Sequence, residues 1–183
     1  QGSNTTMAII CAETLGVKVE DVKVHSGDTD HCPAALGAWG SRQTLMAGNA
    51  TKRAAEDAKN QLLEFALAEM GPNIVYDMDI KDRWVHLVAR PERGIDYFEL
   101  VKKALRGKDG QRIVGRGYYT PHRKGMISPA YSYMVQAVEA EIDTETGKIS
   151  VINCVTAHDC GQPINPIGLT GQLEGAASMA IGY

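Results

Sequence analysis

No stretch of the 183 residues stays apolar for long. The longest run, around Met7 to Ala12, falls far short of the ~20 residues that a membrane helix needs, so no span is expected. No basic region leads into an apolar one near the start, and there is no initiator Met, so a signal peptide is not indicated. The sequence stops at Ile181-Gly182-Tyr183, inside what reads as a helix, and both ends are expected to be truncated. Cysteine is sparse: Cys11, Cys32, Cys154 and Cys160 show no CxxC spacing. That excludes the pattern of a zinc knuckle, and a chain of this size needs no disulfide scaffold, so a reducing, cytoplasmic setting is expected. The net charge of -3 gives no electrostatic reason for a nucleic-acid partner. Internal repeats, low-complexity segments and a GxGxxG opening a helix are also lacking.

What is present is the composition of a folded protein, 44% hydrophobic and 22% charged, enough for one domain or two small ones. Ser3, Asn4, Thr5 and Thr6 offer caps to an apolar helix that Gly16 closes. Val22 to His25 alternate in period two and predict a strand running into Ser26-Gly27-Asp28-Thr29-Asp30, and His31 to Ser41 predicts a loop. From about Gln43 to Met70, Ala54, Ala55, Ala58, Leu62, Phe65 and Ala66 recur at helical spacing opposite Lys52, Arg53, Glu56, Asp57 and Lys59, and Gly71-Pro72 stops this long amphipathic helix. Ile74, Tyr76, Met78 and Ile80 then alternate up to Lys81-Asp82-Arg83, after which Trp84 to Val88 can pair back as a hairpin.

A short helix is expected at about Tyr97 to Leu105, a strand at Arg112 to Thr120, and a link through Pro121 and Pro129. Tyr133 to Ile142 and Lys148 to Ala157 predict a hairpin turning at Gly147. Its second strand is apolar on both faces and is expected to lie centrally in a covered sheet. A small-residue helix follows from Gly171 to Tyr183. The fold class expected is α+β: mixed sheet hairpins packed with a long amphipathic helix and buried helices.

Three polar, glycine-containing segments edge these elements: Gln1 to Thr5, Gly40 to Thr44, and Asp159 to Gln172. A helix start presents unpaired N–H groups and positive partial charge, so the first two can bind a phosphate or another anionic oxygen. Ser3, Thr5 and Ser41 serve equally as ordinary N-caps, the commoner use, and physics alone does not choose. His31 with Cys32, and His158 with Cys160, lack zinc-site spacing and read as buried or incidental. Asp28 and Asp30 read as turn caps rather than an acid/base pair. Glu174, in an apolar helix, is either a buried base or, more simply, a structural hydrogen-bonding group. Gly107, Gly110, Gly115 and Gly117 read as turns. No catalytic residue and no direct metal ligand is assigned.

Taken in order, Gln1-Gly2 before a helix, Ser26-Gly27-Asp28-Thr29-Asp30, Gly40-Ser41-Arg42-Gln43-Thr44, Asp159-Cys160-Gly161 with Ile164-Asn165-Pro166, and Gly171-Gln172 with Glu174-Gly175 resemble the large subunit of the xanthine oxidase-type molybdenum hydroxylases. The likeness runs nearly end to end and makes residues 1–183 a fragment of the second molybdenum-binding domain. Aldehyde oxidoreductases, carbon monoxide dehydrogenase, nicotinate dehydrogenase and 4-hydroxybenzoyl-CoA reductase belong to the same family.

The resemblance implies a molybdopterin cofactor carrying molybdenum, as such or as the cytosine dinucleotide. Gln1 and Gly2 would approach the metal's oxo group and the pterin. Ser41, Arg42, Gln43 and Thr44 would hold the phosphate end, and Gln172 would contact the pterin. Asp159, Gly161, Asn165 and Pro166 would shape the turn before it. Hydroxylation of an electron-poor carbon of an aromatic heterocycle, an aldehyde or a related substrate, with water as the oxygen source, is the implied reaction. The general base would be a glutamate of a Gly-x-Gly-Glu segment beyond Tyr183, so the fragment alone is expected to be inactive. Expected partners are the rest of the large subunit, an iron–sulfur subunit and a flavin subunit carrying FAD, with no nucleic acid and no membrane. A reductive enzyme of the 4-hydroxybenzoyl-CoA reductase kind, and a non-catalytic cofactor-binding or assembly module, remain open. Substrate contacts by His31, Trp39 or Tyr131 carry little weight.

Overall fold

A computed structural model describes residues 2–35, 37–70, 77–107, 110, 112–121 and 131–183. Gln1, the expected stop at Gly71-Pro72, the opening of the alternation at Ile74 and Tyr76, and Pro129 lie outside the described residues. The chain divides into two compact units, residues 1–128 and 129–183. Helices and small antiparallel sheets make it α+β, as the sequence predicts.

The first unit opens with helix α1, Ser3–Leu15, which buries Met7, Ala8 and Ala12. Gly16 ends it in the left-handed conformation, φ 71°, with its N–H on the Ala12 carbonyl. Helix α2, Asn49–Met70, follows one turn of π-helix at Thr44–Gly48. Gly48 packs closely on α1: a Cβ there would stand 3.1 Å from Ile10 Cδ1, which would have to give by a few tenths of an ångström. The meander comprises β1, Met78–Lys81, β2, Trp84–Leu87, and β3, Arg90–Asp96, paired antiparallel in that order.

Asp82 and Arg83 join β1 to β2 with φ of 50° and 66°, the two positive values of a type I′ turn. Arg83 is held in that conformation by its side chain, whose Nε donates to Asp21 Oδ2 at 2.7 Å, and by its N–H on the Gly16 carbonyl at 3.0 Å. Helix α3, Tyr97–Arg106, starts on Asp96, whose carboxylate accepts from the N–H groups of Phe98 and Glu99. Leu62 and Ala66 of α2, Ile80 and Val85 of the meander and Leu100 of α3 form one buried cluster. Each of the Leu, Ile and Val side chains contributes roughly 1.5–3 kcal/mol of burial free energy.

The second unit is a ribbon of β4, Tyr133–Ile142, and β5, Ile149–Asp159, with helix α4, Pro166–Ile181. The strands pair from Tyr133↔Asp159 to Ile142↔Ile149, with a bulge beside Glu139, and Gly147 turns them at φ 72°. Cys154 and Thr156 of β5 share a groove with Leu173 and Ala177 of α4.

Several expectations are corrected. Val22 to His25 form no strand: alternation makes the backbone extended, but no described neighbour pairs with it. Arg112 to Thr120 form no strand either, because this segment lies along α2. Gln61 Nε2 donates to the Val114 carbonyl, the Arg116 N–H donates to Asp57, and Arg53 donates to the Tyr118 carbonyl. Gly115 and Gly117 are therefore points of close approach rather than turns; Cβ atoms there would stand 2.0 Å from the Ala54 carbonyl oxygen and 2.2 Å from that of Ala50.

Strand β3 was hidden by Pro91 and Gly94. The Pro91 carbonyl accepts from Trp84 Nε1, and Gly94 leaves room for the Trp84 indole. Helix α4 starts at Pro166, earlier than Gly171, since Asn165 caps it and Pro166 occupies its first turn. Strand β5 is not central in a covered sheet: it pairs with β4 alone among the described residues, and Val151, Ile152 and Val155 are exposed.

Candidate functional site

The start of α1 and the start of the π-turn share one property. Gly2 before α1 and Gln43, already helical before the π-turn, make no side-chain cap, and neither first turn carries an acidic residue. The reading of Ser3, Thr5 and Ser41 as plain N-caps is thereby set aside, since neither N-cap is one of them. Gly2 holds the left-handed conformation, φ 74°, and its carbonyl accepts from both the N–H and the hydroxyl of Thr6. The first N–H groups of each helix have no acceptor within the helix and point outward. Contrast comes from α3 and α4, whose starts are occupied by Asp96 and Asn165.

The 40–44 segment is shaped by two successive left-handed residues, Gly40 at φ 68° and Ser41 at φ 52°. Ser41 and Thr44 are exposed and Gln43 is half-buried. The Arg42 side chain is buried, its Nε 3.3 Å from the Gly37 carbonyl oxygen and its Cζ 3.8 Å from the centre of the Trp39 ring. Residues 40–48 contain no carboxylate. Besides Arg42, the polar side chains of residues 40–44 are two hydroxyls and an amide, each able to donate.

The Ser26–Asp30 turn is tied to the start of α1, because the Ser26 hydroxyl donates to Asn4 Oδ1 at 2.8 Å. Asp28 caps its own turn, accepting from the N–H groups of Asp30 and His31 and lying 3.1 Å from His31 Nδ1. The bond from the Asp30 N–H first, and that to His31 second, hold the Asp28 carboxyl below its usual range. This is the turn-capping use the sequence indicated. In the second unit, the Asp159 carboxylate accepts from the Gly161 N–H at 2.8 Å, and Asn165 Oδ1 accepts from that of Gly168 at 3.1 Å.

Gln172 projects from α4 as an exposed residue. Glu174 is also exposed, so the burial on which a base role rested is missing. All four cysteines are free, and burial pushes the Cys11 thiol up. Among the described residues no three His, Cys, Asp or Glu side chains gather as a metal site, and no helix is long and apolar enough to cross a membrane.

The same chain matches the molybdopterin cofactor-binding domain family over residues 1–183. It belongs to that family, within the molybdenum-binding subunits of the xanthine oxidase-type molybdenum hydroxylases. Among its relatives is the probable hypoxanthine oxidase XdhD of Escherichia coli (strain K12), 33% identical over all of this chain and 18% of that protein. The carbon monoxide dehydrogenase large chain of Afipia carboxidovorans is 31% identical over 98% of this chain and 22% of its own. The crystal structure of quinoline 2-oxidoreductase from Pseudomonas putida 86 superposes with a TM-score of 0.82 at 27% identity, covering 99% of this chain and 23% of that one. The chain spans about a fifth of the length of the curated relatives it matches.

Proposed function

We propose that residues 1–183 form part of a molybdopterin-binding domain in a longer molybdenum hydroxylase, and that the complete protein hydroxylates an electron-poor carbon of an aromatic heterocycle, an aldehyde or a related substrate with oxygen from water. The observation that carries the reading is the pair of uncapped helix starts, one of them entered through the left-handed Gly40-Ser41 step and flanked by exposed hydroxyls. A donor set without carboxylates suits the phosphate of a pterin cofactor, which supports the fit.

In this reading Gly2 and the first turn of α1 hold the pterin end. Ser41, Gln43, Thr44 and the N–H groups behind them bind the phosphate end, with Arg42 in the same loop. The assignment of Gln172 to a contact with the pterin rests on the resemblance. The assignment of Gln1 to the same cofactor rests on the resemblance, since Gln1 lies outside the described residues. When bound, the molybdenum cofactor supplies the two-electron oxidation of the substrate carbon. This chain's own residues bind and orient the cofactor; the resemblance assigns the proton-accepting group to a Gly-x-Gly-Glu segment of the complete protein. The cytosine dinucleotide form, an iron–sulfur partner and a flavin partner complete the proposal, in a cytoplasmic setting.

The test is Ser41→Ala combined with Thr44→Val in the complete protein. Removing two hydroxyl donors to a phosphate, each worth roughly 1.5–3 kcal/mol as a charge-assisted bond, lowers cofactor affinity by about a hundredfold or more. Molybdenum and pterin content measured after dilution and desalting reads this directly. Unchanged content overturns the assignment of the loop.

A further inference from the structure

Arg42 is the one buried charged residue among those described, only 4% exposed. Its neighbours do the opposite: Ser41 and Thr44 are open to solvent. The guanidinium turns inward, its Nε donating to the Gly37 carbonyl and its face stacked on Trp39 at 3.8 Å. The Arg42 carbonyl meanwhile accepts from the Met46 N–H at 2.8 Å and so opens the helical turn. Between Gly37 and Arg42 the backbone passes through three left-handed residues, Gly37 at φ 81°, Gly40 and Ser41. Glycine takes that conformation freely, but at Ser41 the Cβ opposes it, so surrounding contacts must hold it.

We propose that Arg42 is a positioning residue: by clamping Gly37 and Trp39 from inside the loop, it sets the left-handed Gly40-Ser41 step that turns the Ser41 hydroxyl and the following N–H groups toward the cofactor's phosphate. It does not itself touch the phosphate. The inference rests on the reading of residues 40–44 as the phosphate loop. It differs from that reading in what it asks of the side chain. A cation that binds phosphate directly is replaceable in part by lysine. A planar fork that bonds a carbonyl and stacks on an indole is not. Trp39 in turn needs to supply only an aromatic face, which phenylalanine also offers.

The experiment uses the complete protein with Arg42→Ala, Arg42→Lys, Trp39→Phe and Trp39→Ala. Molybdenum and pterin retained after desalting are measured, together with the melting temperature of each variant stripped of cofactor. Arg42→Ala and Arg42→Lys are both expected to lose retention about tenfold, a shift of about 1.4 kcal/mol, while the stripped proteins melt close to the parent. Trp39→Phe retains the cofactor and Trp39→Ala does not. Wild-type retention in Arg42→Lys overturns the proposal, because charge alone then suffices. A collapse of melting temperature in the stripped Arg42 variants also overturns it, by making Arg42 a support of the whole fold. The phosphate-loop reading fails separately, through Ser41→Ala with Thr44→Val retaining cofactor; loss there with no loss at Arg42 isolates the failure to the positioning role.

Discussion

Asp21 and Arg83 show how a single pair can couple distant segments. The Arg83 side chain reaches back to the turn after α1, while its backbone occupies a left-handed position between β1 and β2. Hydrogen bonding from Arg83, ahead of the opposing effect of desolvation, holds the Asp21 carboxyl below its usual range. In the unfolded chain the carboxyl titrates near about 3.9. Because the folded value is the lower one, the pair's stabilisation is fully present above the unfolded value. It is lost as pH falls through the folded value. Asp21→Asn is therefore expected to flatten the acid limb of the stability curve below about pH 4, and to leave its shape above about pH 5 unchanged, in melting temperatures recorded from neutral to acid pH. An unchanged acid limb contradicts the coupling. Asp28, Asp79 and Asp143 are lowered too, so part of the acid limb survives the substitution.

Among the elements, the segment 112–121 is the least conventional. It has no sheet partner among the described residues and no helix of its own, yet it is fixed on α2 by backbone contacts and by Asp57 and Gln61. Gly117→Ala places a methyl group 2.2 Å from one α2 backbone atom and 2.4 Å from another, and backbone does not yield as a side-chain end does. The expected loss is about 1–3 kcal/mol, as for overpacking elsewhere. Hydrogen exchange of the complete protein is expected to locate that loss in residues 50–58 and 112–120; no change in either segment contradicts the packing.

The same segment shows where sequence reading stops. Helices α1, α2 and α3 and the two hairpins were legible, because apolar spacing, Gly16, Gly147 and the Lys81-to-Arg83 break are local signals. The extended run 22–25 carries the alternation of a strand, and 112–120 also reads as one. Whether an extended run is paired depends on what lies beside it, which periodicity does not encode. β3 was missed because Pro91 and Gly94 argue against a strand, although the Trp84 indole explains both. The 40–44 loop was legible as a helix start; the inward turn of Arg42 was not, since a charged residue between polar neighbours gives no sign of burial.

At the scale of the whole molecule, the proposed reading assigns residues 1–183 the holding of a cofactor, and among the described residues no three His, Cys, Asp or Glu side chains gather as a metal site. The second unit exposes Val135, Val155 and other apolar side chains of its ribbon. The account's central claim is that the complete protein holds a molybdopterin cofactor through this domain. The most direct test is metal and pterin analysis of the full-length protein, matured with its cofactor-insertion machinery and freed of loosely held ions. About one molybdenum and one molybdopterin per large subunit are predicted, as for a resident cofactor held by many contacts. A matured full-length protein carrying neither contradicts the account.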